Sequence, residues 1–287
     1  MAGVTTPAPG VAYARGVGSS SIAALPALHD TGSGAPLVLL HAFPQEASMW
    51  DHQVAMLSGS HRCLRPDAFG CGASPAPPAG LRMSGWAEAV LAALDGAGVG
   101  RFALACLSMG GYLGFEVLRA APERVTGLAL LATRAAADGE AAREARLAMI
   151  ERLAAGGLEA RDGEVEPALE RLLSPGARGE FHISDPVRGR VRRCTPAGLA
   201  ACQEAMAGRR DSTDLLAGVA VPVLVVAAAE DAVIPVEEMR AMAAAIPGAR
   251  FEVVAGSGHL VNLEQPALVG RLLAGWLETI PDYHPGR

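Results

Sequence analysis

Short, mainly apolar runs recur along this chain, each about four to nine residues long and ending in or near Gly, Asp, Ser or His. They occupy residues 36–40, 62–65, 102–106, 128–132, 221–229 and 251–254. Most are continuous rather than alternating. A strand solvated on one face alternates apolar and polar residues, so a continuous run means burial on both faces, as in a parallel sheet. Helical patterns fill the intervals, at 84–94, 111–120, 236–245 and 266–279. Parallel strands need crossovers, and helices supply them. The predicted class is α/β with a doubly wound, mostly parallel sheet.

The alternation breaks once. Over the 77 residues from Ala136 to Ser212 no strand pattern appears, and amphipathic helical patterns lie at 140–153, 165–173 and 197–206. Strands resume near Val221. We read the segment as a helical lid inserted between two parts of one core; the plainer alternative is more helices of the same domain. The expected organisation is a flexible tail at 1–21, core at 22–135, lid at 136–212 and core again at 213–287.

Composition enters through exclusions. The longest apolar stretch, residues 215–229, is interrupted by Gly218 and Pro222 and falls short of the roughly 20 residues of a membrane span. Residues 1–21 hold no continuous apolar core of a secretory signal. A formal charge of −6 gives no footprint for nucleic acid. All 24 basic residues are Arg, which excludes Schiff-base lysine chemistry and a P-loop lysine. Five Cys residues without a C-x-x-C spacing suggest neither a disulfide framework nor a zinc site, and a reducing cytoplasm fits that reading.

The chemistry concentrates at run ends. Phe-Ala-Leu-Ala-Cys-Leu-Ser-Met-Gly-Gly (102–111) carries a strand into a helix across Ser108. This resembles the nucleophile elbow of the α/β-hydrolase superfamily, small-x-Ser-x-small, with Cys106 where Gly is usual. Val38 to Pro44 resembles that superfamily's His-Gly-x-Pro turn, with Ala42 at the glycine position. The resemblance implies an oxyanion hole from the backbone N–H groups of Phe43 and Met109, and a structural role for His41. Asp67 to Ser74 looks like its Asp-x-x-Gly-x-Gly-x-Ser loop, with Asp67 a structural hydrogen-bonding residue. Asp231, at the end of the 221–229 run and four residues before Pro235, matches the position of the triad acid; Glu230 is the alternative, and a helix cap is another use for such a carboxylate. His259 follows Gly256-Ser257-Gly258 after the last run. His29, His52, His61, His182 and His284 read as loop or surface residues.

Ser108, Asp231 and His259 stand 123 and 28 residues apart, in the order Ser, Asp, His. That order is the α/β-hydrolase one, unlike chymotrypsin or subtilisin. The resemblance runs from about Ile22 to Pro281 and comes nearest to small-lid esterases and enol-lactonases, with some likeness to cofactor-free haloperoxidases. It implies a serine hydrolase of a small, largely apolar carboxylic ester or lactone, acting through an acyl-enzyme on Ser108 without metal or organic cofactor. A Ser at the elbow argues against dehalogenase and epoxide hydrolase chemistry, where that superfamily uses Asp. Perhydrolysis, carbon–carbon hydrolysis and non-catalytic ligand binding remain as alternatives on the same fold. Trp50 and Leu260, close to the turn and the histidine in sequence, are candidate pocket residues, with core packing the alternative. The arginines at 188, 190, 192 and 193 suit either a carboxylate-bearing substrate such as an enol-lactone or a solvated face. Expected partners are the small substrate alone, with no nucleic acid or membrane; the protein is expected to be a monomer or homodimer.

Overall fold

The computed structural model describes residues 11–12 and 24–281. The rest of the expected N-terminal tail, and His284, lie outside them. In chain order the elements are β1 (Val11–Ala12), β2 (Leu28–Thr31), β3 (Ala35–Leu40), α1 (Asp51–Leu57), β4 (His61–Pro66), α2 (Met83–Gly96), β5 (Phe102–Leu107), α3 (Met109–Ala120) and β6 (Val125–Leu131). There follow α4 (Glu140–Gly163), α5 (Val165–Leu172), α6 (Pro175–Arg178), α7 (Phe181–Arg192), α8 (Pro196–Ala207) and α9 (Thr213–Leu216). The chain closes with β7 (Val223–Ala228), α10 (Val236–Ala244), β8 (Arg250–Val254), α11 (Val261–Glu264) and α12 (Pro266–Leu277).

The strands form one sheet in the order β1-β2-β4-β3-β5-β6-β7-β8. Pairing is parallel from β4 through β8, and β2 runs antiparallel to both β1 and β4. Every residue of β5, β6 and β7 is buried, which is why those segments read as unbroken apolar runs. Alternate residues serve opposite faces. Val38, Leu40, Leu104 and Cys106 point into one apolar layer with Trp86 of α2, Phe115 of α3 and Met239 of α10. Leu37, Leu39, Ala103 and Ala105 point into the other, with Trp50, Val54 of α1, and Leu273 and Trp276 of α12. The doubly wound expectation holds. Beyond it the structure adds β2, whose Leu-His-Asp-Thr sequence carries no apolar run because its pairing is antiparallel near the sheet margin.

The segment between β6 and β7 is helical, with α4 to α9 among the described residues. The helix α7 was not visible in the sequence because Pro186 and Gly189 fall inside it. None of the helices among the described residues is long and apolar enough to cross a membrane.

One expectation is corrected. Cys71 and Cys194 are joined in a disulfide, 123 residues apart in sequence. No short spacing marks the pair, which is brought together by the docking of the insertion on the Asp67–Ser74 loop. Gly70 takes φ +74° there, and a Cβ on it would meet Gly198 Cα at 2.6 Å, so the two backbones touch. Thr195 N–H also donates to Gly70 O at 2.7 Å. The cysteine count therefore no longer argues for a reducing compartment.

Candidate active site

The elbow begins with a packing demand. The chain must turn from β5 into α3 within one residue, and Ser108 does so at φ 54° and ψ −116°, a left-handed backbone that costs a non-glycine residue free energy. Surrounding bonds hold it there: Ser108 N–H donates to Leu131 O at 3.0 Å, and Ser108 O accepts from Gly111 N–H and Thr133 Oγ1, both at 2.8 Å. Gly110 has no room for a side chain, since a Cβ would sit 2.3 Å from Leu40 O. At the other small position, Cys106 is accommodated because α3 carries Gly114 opposite its sulfur. The departure from glycine at 106 is thus balanced by a glycine one turn into the helix.

Two further strand ends bring in the partners. His259 Nε2 lies 2.7 Å from Ser108 Oγ, and His259 Nδ1 lies 2.8 Å from Asp231 Oδ2. A carboxylate only accepts, so Nδ1 donates and Nε2 is left to accept the serine proton. Asp231 Oδ1 accepts from Val233 N–H at 2.7 Å and Ile234 N–H at 3.0 Å, which fixes the carboxylate. One oxygen of Asp231 thus caps the following turn while the other faces His259. Glu230, its alternative, is exposed. The histidine loop is held by Glu264, which accepts from Gly258 N–H at 3.0 Å and from Ser174 N–H of the insertion at 3.2 Å. Burial pushes the Glu264 carboxyl above its ordinary range. Nothing local in the sequence marks this carboxylate, whose partners lie 6 and 90 residues away.

Opposite the serine, the loop after β3 is shaped by buried polar groups. His41 Nδ1 donates to Ala42 O and its Nε2 accepts from Ala68 N–H, both at 2.8 Å. Burial lowers its pKa, which favours the neutral ring these two bonds require. Asp67 is fully buried and accepts from Ala47 N–H, Ala73 N–H and His29. The N–H of Phe43 meets no protein acceptor among the described residues, and Met109, first in α3, has no acceptor one turn earlier in its helix.

The match to known proteins covers this whole frame. The model of the alpha/beta hydrolase family matches residues 37–272. The chain belongs to the alpha/beta hydrolase family. It is similar to a thermophilic esterase from Thermogutta terrifontis, 35% identical with a TM-score of 0.84 over 88% of this chain and 93% of that one. It is also similar to the enol-lactonase of Burkholderia xenovorans LB400, 25% identical, TM-score 0.80, over 88% and 97% of the two chains. Among curated sequences, 3-oxoadipate enol-lactonase 2 of Acinetobacter baylyi is 28% identical over 232 residues, 80% of this chain and 84% of that protein.

In this alpha/beta hydrolase a cavity of about 380 Å³ opens on Ser108 and His259. Phe43, Tyr112 and Val233 line it from the core; Arg146, Met149, Arg152, Arg171, Leu172 and Met206 line it from the insertion. Two expected pocket residues are not there. Trp50 and Leu260 are fully buried in the apolar layer on the other face of the sheet, with Leu37 and Leu39. Closeness in sequence to the turn and the histidine did not fix which way their side chains point. The arginine run does not line the cavity, which leaves the solvated-face alternative: Arg188 pairs with Glu166 and Asp185, Arg190 donates to Ser48, and Arg193 pairs with Glu46. The wall is instead one face of α4, carrying Ala142, Ala145, Arg146, Met149 and Arg152. That i, i+3, i+4, i+7 spacing was readable in the sequence.

Proposed function

We propose that this alpha/beta hydrolase cleaves a carboxylic ester or lactone of a small substrate through an acyl-enzyme on Ser108. The observation that carries the reading is the pair of bonds, 2.7 and 2.8 Å, linking Ser108, His259 and Asp231 on the floor of the cavity. Likeness to proteins named esterase and enol-lactonase supports the same class.

Ser108 Oγ attacks the substrate carbonyl while His259 Nε2 takes its proton. The tetrahedral oxyanion accepts from the N–H groups of Phe43 and Met109, worth about 3–4 kcal/mol per donor in comparable sites. Asp231 keeps Nδ1 as the donor and stabilises the imidazolium. The intermediate collapses, His259 returns the proton to the leaving alkoxide, and the acyl group stays on Ser108. Water then enters with His259 as base, and the acid departs. The strained serine backbone fits this role, because such strain gathers at reactive residues.

The insertion acts as the lid, excluding water from the acyl-enzyme. Because α4, α5 and α8 close over a modest cavity, we expect short acyl chains or small cyclic esters to be preferred. A series of aryl esters from two to sixteen acyl carbons tests this through kcat/KM. The reading predicts a maximum among the short chains. A maximum at twelve carbons or beyond, or activation at an oil–water interface, contradicts it.

A further inference from the structure

The cavity above Ser108 carries more positive charge than the protein itself neutralises. Arg146, Arg152 and Arg171 line it against one carboxylate, Glu164. Arg146 donates to Asp138 at 2.5 Å and to Gln203 at 2.8 Å. Arg152 donates to Glu164 at 2.7 Å. Arg171 has no hydrogen-bond or ion-pair partner among the described residues; Glu164, the acid whose field it feels, is already held by Arg152. The Arg171 side chain is exposed at the edge of the cavity, open to a ligand that enters it. Arg188 pairs with Glu166 and Asp185, Arg193 with Glu46 and Arg209 with Asp138; Arg143 and Arg192 are exposed and do not line this cavity.

Its position suits a role in binding. Arg171 lies in the last turn of α5, and the next residue, Leu172, lines the same cavity. Leu172 O accepts from Leu260 N–H at 3.1 Å, so the base of Arg171 is tied to the backbone beside His259. The proton transfers of the triad and the two oxyanion donors leave this guanidinium without a task in the bond-breaking step. A planar fork of donors with no partner takes a carboxylate in a bidentate pair.

We infer that Arg171 is a specificity-determining residue, binding a carboxylate carried by the substrate, so that the preferred substrates are short hemiesters or lactones that also bear a free carboxylate. This deepens the proposed function and rests on Ser108 being the nucleophile. The cavity, near the low end of the roughly 300–1,000 Å³ of small-molecule sites, limits such a substrate to a few carbons between the carboxylate and the scissile carbonyl.

The test uses matched pairs that differ only in charge. With the carboxylate on the acyl side, monoethyl glutarate is compared with ethyl 4-carbamoylbutanoate. With it on the alcohol side, 3-acetoxypropanoate is compared with its primary amide. In one pair the wild-type protein should favour the carboxylate at least about tenfold in kcat/KM, as expected of a charge-assisted pair. Arg171→Ala should bring that ratio close to one, Arg171→Lys should restore part of it and Arg171→Glu should invert it. Arg188→Gln, outside the cavity, should keep the wild-type ratio. Absence of preference in both wild-type pairs, or a ratio that survives Arg171→Ala, overturns the inference. If no ester is turned over, the nucleophile reading fails separately, and titration calorimetry decides. Glutarate binding at least tenfold more tightly to wild type than to Arg171→Ala, with glutaramide unaffected, supports the carboxylate site. Equal affinities, or no glutarate binding to either protein, reject it.

Discussion

The floor of the cavity and the insertion above it are held by different kinds of bond. On the floor, Ser108, Asp231 and the loop before His259 are fixed largely by backbone groups: Leu131 O, the Val233 and Ile234 N–H groups and the Gly258 N–H. The insertion is pinned to the core largely by side chains. Arg193 reaches Glu46 at 2.5 Å, Arg190 reaches Ser48 and Arg210 pairs with Glu116, besides the Cys71–Cys194 disulfide. Backbone bonds survive most substitutions and changes of pH. Charged side-chain contacts do not. The comparison therefore separates a region where single changes alter chemistry from one where they alter docking.

The sharpest break in that contrast is on the floor. Asp231→Asn keeps the shape of the carboxylate but weakens its hold on the His259 tautomer, so kcat on a short aryl ester should fall by about 10³–10⁴ with the thermal midpoint little changed. Glu230→Gln, at an exposed site one residue earlier, should leave kcat near wild type. The reverse pattern would move the acid role to Glu230.

The insertion should respond in stability first. Glu46 accepts from Ser48 N–H at 2.8 Å and Oγ at 2.6 Å as well as from Arg193. Glu46→Gln should cost about 1–3 kcal/mol in urea unfolding, the usual loss for a buried, charge-assisted contact. A loss within error would mean that the other contacts, the disulfide and the Gly70–Gly198 approach among them, hold the insertion without Glu46.

A smaller effect should follow pH. Burial alone would raise the Glu46 carboxyl; the Ser48 bonds and the Arg193 guanidinium instead hold it at about 2, against an ordinary 4.5. The folded value is depressed, so its stabilisation is complete above about 4.5 and lost as pH falls towards 2. His41, lowered from 6.5 by burial, adds a loss that begins as pH falls below about 6.5. His29 has the opposite sign: the Asp67 bond raises it, and its contribution fades as pH rises through the folded value. Urea midpoints should therefore decline from pH 6 to 3.5, less steeply in Glu46→Gln. Parallel curves for the two proteins would remove Glu46 from the account.

The same contrast explains what the sequence revealed. The strands β5 and β7 were legible because burial on both faces leaves no polar residue to blur the run. Ser108, Asp231 and His259 were legible because each sits at a strand end within a local pattern of small residues. The shared helix face of the α4 wall residues was legible, but not that it faces the cavity, since packing on the core decides which face looks inward. Trp50 and Leu260 were misplaced for a related reason, as a position near a loop does not say on which side of the sheet a side chain packs. The Cys71–Cys194 pairing depends on docking across 123 residues and leaves no local mark.

The claim on which the rest depends is the covalent role of Ser108. It is tested by quenching the reaction with a short aryl ester in the first turnover and locating the acyl group by tandem mass spectrometry. The account predicts one acyl increment, on the peptide containing Ser108, together with a burst of phenol equal to the enzyme present, and neither in Ser108→Ala. Turnover without an adduct, an adduct on another residue, or a Ser108→Ala protein retaining more than a few percent of wild-type kcat would contradict it.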